Sequence, residues 1–366
     1  MVMNPNLAFA FFVLTTSFLL SCAWTPAIRD NEGEIVPASI ASLEEIELNG
    51  VEQWVLTRGQ DVSNPILLYL HGGPGSAMLP FLAHYNSDLE CYFTVVTWDQ
   101  RGAGKSFSPR IPEETMTVDQ FIEDAHALTL ILKKRFGAEK IYLVGHSWGS
   151  MLGVLTVSRY PEDYYAYVGI GQFVNGADNE SCSYDWVYRT ALKQGNRKAQ
   201  RQLEKIGPPV EGLYQSDTSK GRVVLKGILA ERKWLVRFGG AVYGKSNYSE
   251  LFGLFLTAKE YTFGDFIRCL RGVNFSMKSM QLEVLQVDLR RQVPRLEVPV
   301  YFLQGRCDYN TPGEVSYDYF QMLEAPSKEF IWFERSAHAP IFEEPEKFNQ
   351  MMVDKVLKET YNRNTP

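Results

Sequence analysis

Short apolar runs recur along the chain, each cut off by a glycine-rich or charged turn. Two alternating segments, Ile46–Leu48 and Gln53–Thr57, flank Asn49-Gly50, which is a hairpin signal. Ile66–Leu70 is apolar throughout and stops at His71-Gly72-Gly73-Pro74-Gly75. Phe93–Trp98 stops in the same way at Asp99-Gln100-Arg101-Gly102. Val118–Phe136 carries apolar residues at helical spacing and is closed by Gly137. Ile141–Val144 and Tyr165–Ile170 read as further buried strands, with a helix expected over Trp148–Tyr160 between them. Strands that are apolar throughout and alternate with helices imply a parallel sheet covered on both faces.

The alternation then stops. From Asn175 to Pro294 the pattern predicts helices or irregular chain, with helices at Trp186–Leu192, Arg197–Ile206, Val223–Phe238, Leu251–Leu256 and Phe263–Leu270. Strands resume at Val298–Leu303 and Phe330–Phe333, with helices expected near Glu314–Leu323 and Pro345–Glu359. The reading is one α/β domain, 43–174 and 295–366, interrupted by a helical insertion at 175–294.

The N-terminus reads as an address. Residues 1–21 contain no Asp, Glu, Lys or Arg, and Leu7–Leu20 is a 14-residue apolar run. That length suits a signal-peptide core and is short for a membrane span, which takes about 20 residues. Leu19-Leu20-Ser21-Cys22 resembles the lipobox of bacterial lipoproteins, in which the Cys takes lipid. Lipidation at Cys22, simple secretion after cleavage nearby, and a retained N-terminal anchor are the three readings. All three place the domain outside the cytoplasm, at the cell envelope. Residues 22–42 then read as a polar tether.

Composition narrows the partners. Over 366 residues, 37 Lys and Arg against 43 Asp and Glu leave a formal net charge of −6, which argues against a general nucleic-acid binder. Five scattered cysteines form neither a disulfide framework nor a zinc-spaced pair, and no cofactor or metal is expected. The sequence assigns no oligomeric state.

Gly145-His146-Ser147-Trp148-Gly149 is Gly-x-Ser-x-Gly between a predicted strand and a predicted helix. That is the context of a nucleophile elbow, a turn so tight that only glycines fit where backbones approach. Ser147 is therefore the expected nucleophile, and the N–H of Trp148, at the helix start, an expected oxyanion donor. Among the five histidines, His338 lies in a loop just past the last strand and is the expected base. His71 is expected to pin its loop, and His146 to be turned away by the elbow. Asp308 follows a strand and completes the order Ser, Asp, His; Glu334 and Asp318 are weaker candidates for the acid. Gly73 is expected to supply the second oxyanion N–H. Gly102-Ala103-Gly104-Lys105-Ser106 lacks the leading glycine of a phosphate loop, so it reads as a turn with Asp99 and Arg101 as structural ion partners.

Together these motifs resemble α/β-hydrolases of the proline iminopeptidase group. The matching residues are His71–Gly75, Asp99–Ser106, Gly145–Ser150, Gly305 with Asp308, and His338. The resemblance implies an α/β-hydrolase fold, a mostly parallel sheet with helices on both faces and an inserted helical cap. It implies a serine aminopeptidase that releases an N-terminal residue from short peptides. Such an enzyme needs a carboxylate for the substrate ammonium, and Glu180 in the insertion is the candidate. An esterase, lactonase or amidase of the same mechanism is the alternative reading. A non-catalytic surface binding protein is the alternative of a different class. Epoxide and haloalkane chemistry is set aside, because it needs a carboxylate where this chain has Ser147.

Overall fold

The computed structural model describes residues 22–219, 222–223 and 225–361. The expected leader, residues 1–21, lies outside the described residues. Eight strands form the main sheet: β1 (Ile40–Leu48), β2 (Val51–Gly59), β3 (Ile66–Leu70), β4 (Thr94–Asp99), β5 (Ile141–His146), β6 (Tyr164–Ile170), β7 (Val300–Gly305) and β8 (Lys328–Phe333). Their order is β1-β2-β4-β3-β5-β6-β7-β8. The hairpin β1–β2 is antiparallel, as is its pairing to β4, and every other pairing is parallel. Asn49 and Gly50, both at positive φ, make the two-residue turn that this hairpin requires.

Every residue of β3, β4, β5 and β7 is buried. Side chains alternate between the two faces of the sheet. Leu68, Leu70, Val96 and Trp98 therefore pack with Phe121 and Leu128 of helix α1 (Val118–Phe136) and with α2 (Trp148–Arg159). Leu67, Tyr69, Val95 and Tyr142 pack on the other side with Phe348 of α9 (Pro345–Met351). Helix α1 opens on Thr117, whose hydroxyl accepts from the Gln120 N–H, and closes on the left-handed Gly137.

Between β6 and β7 come α3 (Gly176–Lys193), α4 (Arg197–Ile206), α5 (Lys226–Arg237), α6 (Ser249–Thr257) and α7 (Phe263–Gln286). Tyr184, Val187, Leu203, Ile228, Trp234 and Leu235 give this insertion a core of its own. Two of its helices are much longer than their apolar periodicity predicts. Helix α3 starts ten residues earlier because Asn179, Glu180 and Ser183 occupy its buried face and mask the pattern. Helix α7 continues through Ser276 to Met280 and Val284, which join the main core. Helix α8 (Gly313–Met322) then links β7 to β8.

Residues 22–39 are not a loose tether. Trp24 N–H donates to Lys259 O at 3.0 Å, Arg58 Nη1 donates to Thr25 Oγ1 and Pro26 O, and Ile28 is buried. The sheet itself begins at Ile40. Apolar Ile28 and the Arg58 donors fix a segment whose polar composition alone reads as free.

Candidate active site

The parallel strands end level with one another: Leu70 is opposite both Trp98 and Gly145, and His146 is opposite Ile170. The loops that leave this edge carry the candidate residues, which is where open α/β sheets bind ligands. Ser147 joins β5 to α2 at φ 56, ψ −119, a strained conformation held by its N–H bond to Ile170 O at 2.9 Å. A Cβ at Gly145 would lie 2.2 Å from Gly149 O, and one at Gly149 would lie 2.1 Å from Leu70 O. The turn therefore closes only with glycine at both positions, and it thrusts Ser147 into a cavity of about 720 Å³.

His338 lines the same cavity. Its Nδ1 lies 2.9 Å from Asp308 Oδ2, so the ring donates there. Asp308 is buried and accepts further bonds from the N–H groups of Asn310 and Thr311, the Thr311 hydroxyl and Gln304 Nε2. Burial raises its carboxyl, but the adjacent His338 and the Thr311 donors outweigh burial and hold it below the ordinary carboxylate range. Glu334, the weaker candidate, sits on the surface paired with Arg306. Asp318 is exposed.

The other face of His338 holds a residue that the motifs do not reveal. Asn310 Nδ2 lies 2.8 Å from His338 Nε2. Nε2 is thus bonded to Asn310, and among the described residues no bond joins it to Ser147. Donation from Nδ1 to Asp308 and acceptance at Nε2 define the Nδ1–H tautomer, the form that can take a proton at Nε2.

The backbone N–H groups of Gly73 and Trp148 donate to no acceptor among the described residues. Gly72 lies against Ser147: a Cβ there would stand 3.2 Å from Ser147 Cβ. His71 pins this loop as expected, with Nδ1 2.7 Å from Gly72 O and Nε2 accepting from Gln100 N–H at 3.1 Å. Burial pushes its pKa down to about 4, so it stays neutral. Gln100 has a role that no motif spacing reports. Its side chain donates to His71 O at 3.1 Å and accepts from Trp148 Nε1 at 2.9 Å, tying the glycine loop to the elbow.

His146 turns from Ser147 onto the loop of His338, with Nε2 2.7 Å from His338 O. Burial, reinforced by His338, lowers its pKa to about 3, so it acts as a neutral strut. Glu343 braces the same loop, accepting from the N–H groups of Ala337 and Ala339 and from Tyr243 in the insertion. Arg101 does not pair with Asp99. It pairs with buried Asp124 at 2.8 Å, while Asp99 accepts from Lys105 N–H and Tyr261 Oη.

Glu180 lines the cavity on α3. Arg232 of α5 holds it, and the same guanidinium takes buried Glu231. Asn179, next to Glu180, lines the cavity with neither amide atom hydrogen-bonded. Among the described residues, no three of His, Cys, Asp and Glu gather in a metal-binding group. The five described cysteines are free thiols, and Cys22 is exposed.

Residues 65–212 match the model of the α/β hydrolase fold. Over 310 residues, 85% of this chain and 94% of the relative, the sequence is 37% identical to a probable aminopeptidase, YbaC, of Bacillus subtilis (strain 168). The chain belongs to the α/β-hydrolase family. A proline iminopeptidase of Heyndrickxia coagulans is 22% identical over 296 residues, 79% of this chain and 89% of that one. In structure, a proline iminopeptidase of Mycobacterium smegmatis superposes with a TM-score of 0.61 at 18% identity, covering 87% of this chain and 99% of the other, which speaks to the fold alone. This α/β-hydrolase is a hydrolytic enzyme, which sets aside the purely binding reading.

Proposed function

We propose that Ser147 attacks a substrate carbonyl while His338 Nε2 takes the hydroxyl proton, with Asp308 holding the ring through Nδ1–H. The oxyanion receives N–H donors from Gly73 and Trp148. Collapse breaks the bond to the leaving group, which takes the proton from His338, and water then releases the acyl group from Ser147 by the same steps. The observation that carries this reading is the strained elbow at Ser147 opening on the cavity that the Asp308-paired His338 also lines.

The substrate we infer is a short peptide with a free N-terminus, from which one residue is released in the manner of a proline iminopeptidase. Support comes from the 37%-identical relative named a probable aminopeptidase and from the cavity wall, where the Glu180 carboxylate stands beside the Asn179 amide, neither atom of which is hydrogen-bonded. In this reading Glu180, with Asn179 beside it, meets the ammonium. An esterase or lactonase is favoured by two contrary observations: Arg232 already holds Glu180, and Ile228, Leu229, Val236 and Phe255 make much of the wall apolar.

The deciding experiment compares hydrolysis of an L-prolyl arylamide with its N-acetylated twin, using Ser147→Ala as the blank. Cleavage of the free amine alone supports the aminopeptidase, and Glu180→Gln should then raise KM for that substrate with little change in kcat. Equal cleavage of the acetylated form overturns ammonium recognition. Turnover retained by Ser147→Ala overturns the nucleophile.

A further inference from the structure

We propose that the outer face of α6 and the first half of α7 is a lipid-docking surface, which lays the mouth of the cavity on a membrane. Phe252 and Leu256 stand four residues apart on α6, and Phe263, Ile267 and Leu270 follow at i, i+4 and i+7 on α7. Each spacing puts its residues on one helix face. All five are between 44% and 60% exposed. Phe252 and Phe266 bring the two stripes together, their ring centroids 6.4 Å apart. Phe252, Phe266 and Leu270 also line the cavity, so the apolar surface is its rim.

The chain itself says what covers this face. Trp24 N–H donates to Lys259 O, and Lys259 Nζ lies 4.6 Å from the centre of the Trp24 ring. Lys259 lies in the connection between α6 and α7, so Cys22 leaves the fold beside the stripe, within about 8 Å of Trp24. Upstream of Cys22 runs the apolar Leu7–Leu20 stretch. The inference rests on the reading of that stretch and Cys22 as a route to the membrane. Trp24, half exposed, is an aromatic of the kind that sits at a headgroup boundary. Lys259, Arg268 and Arg271 flank the stripe; of the neighbouring acids Glu260 is buried, and buried Asp265 is shared by Arg268 and Lys105, which leaves the flank basic. Exposed Glu250, at the start of α6, is paired with Lys245. That charge suits anionic headgroups and opposes a second copy bearing the same basic flank.

The test installs a benzophenone amino acid in place of Leu256 or Ile267 in the full chain, with exposed Leu130 of α1 as the control position. Each chain is bound to vesicles of phosphatidylethanolamine and radiolabelled phosphatidylglycerol and irradiated. Lipid adducts at 256 and 267 should exceed those at 130 by about tenfold. Phe263→Ser with Ile267→Ser should lower the adduct at 256 several-fold while keeping turnover of a soluble substrate, since neither residue lines the cavity. Sedimentation with vesicles but adducts no greater than at Leu130, or crosslinks to a second copy, overturn the docking surface and leave the membrane route standing. Failure to sediment overturns both.

Discussion

Asn310 donates its side-chain amide to His338 Nε2 at 2.8 Å, the nitrogen proposed to take the proton of Ser147. On the proposed mechanism the base is therefore occupied at rest, and catalysis would begin by breaking a neutral hydrogen bond worth about 1 kcal/mol net. Asn310→Leu keeps the side-chain bulk and removes the donor. The expected outcome is a rise in kcat/KM of about two- to fivefold toward a soluble ester or arylamide, with an unchanged melting temperature. A tenfold fall would mean that Asn310 holds the substrate instead.

Asp308 is held by Gln304 Nε2, the Thr311 hydroxyl and two backbone N–H groups besides His338. Those bonds fix the side chain whichever atom faces the ring. In Asp308→Asn an amide N–H facing Nδ1 would force the proton to Nε2, the wrong tautomer for a base. We expect kcat to fall by about 10³–10⁴-fold with the fold intact, a magnitude known from the equivalent change in the chymotrypsin-type triad. Steady-state kinetics beside a circular-dichroism melt checks it, and a loss below tenfold would reassign the acid.

Gln100 joins the glycine loop to the elbow through His71 O and Trp148 Nε1. Gln100→Leu leaves both partners buried and unpaired, at a cost of about 1–3 kcal/mol each. The proposed donor Gly73 sits on one side of this link and Trp148 on the other. Loss of the link should lower kcat more than it raises KM, because the oxyanion forms only as the reaction proceeds. A variant that loses stability yet keeps kcat would show that Gln100 serves the fold alone.

Apolar runs and punctuation revealed the sheet, because β3, β4, β5 and β7 are buried on both faces and carry continuous Val, Leu and aromatic residues. Ser147, Asp308 and His338 could be singled out as candidates because each follows closely on the end of a strand. The residues that hold them could not. Gln100 and Asn310 act through side-chain bonds across loops far apart in the chain, as Glu343 does toward Tyr243, and no local spacing reports such a bond. The same holds for α3, whose buried face is polar around Asn179, Glu180 and Ser183. The partner of Arg101 is Asp124, a residue on α1 rather than the near neighbour Asp99.

Asp99 offers a test by pH. It is buried at the end of β4, its carboxylate oxygens bonded by Tyr261 Oη at 2.8 Å and Lys105 N–H at 2.9 Å. Burial dominates these donors and raises its pKa to about 7. An unfolded Asp titrates near about 4. Between those values the folded chain holds a proton that the unfolded chain has released, so this group makes stability fall as pH rises, and its effect levels off above about pH 7. Glu90 and Glu343, also raised by burial, act in the same direction, whereas Asp308, held low, acts in the opposite direction and only below these pH values, its contribution being lost as pH falls from about 4 through its own lowered pKa. Asp99→Asn removes one titration and leaves the others. Urea midpoints at about pH 5 and about pH 8 should therefore differ less in the variant than in the parent, at equal m-value. An identical difference in both would show that Asp99 is charged across this range, with Tyr261 and Lys105 stabilising the carboxylate more than burial opposes it.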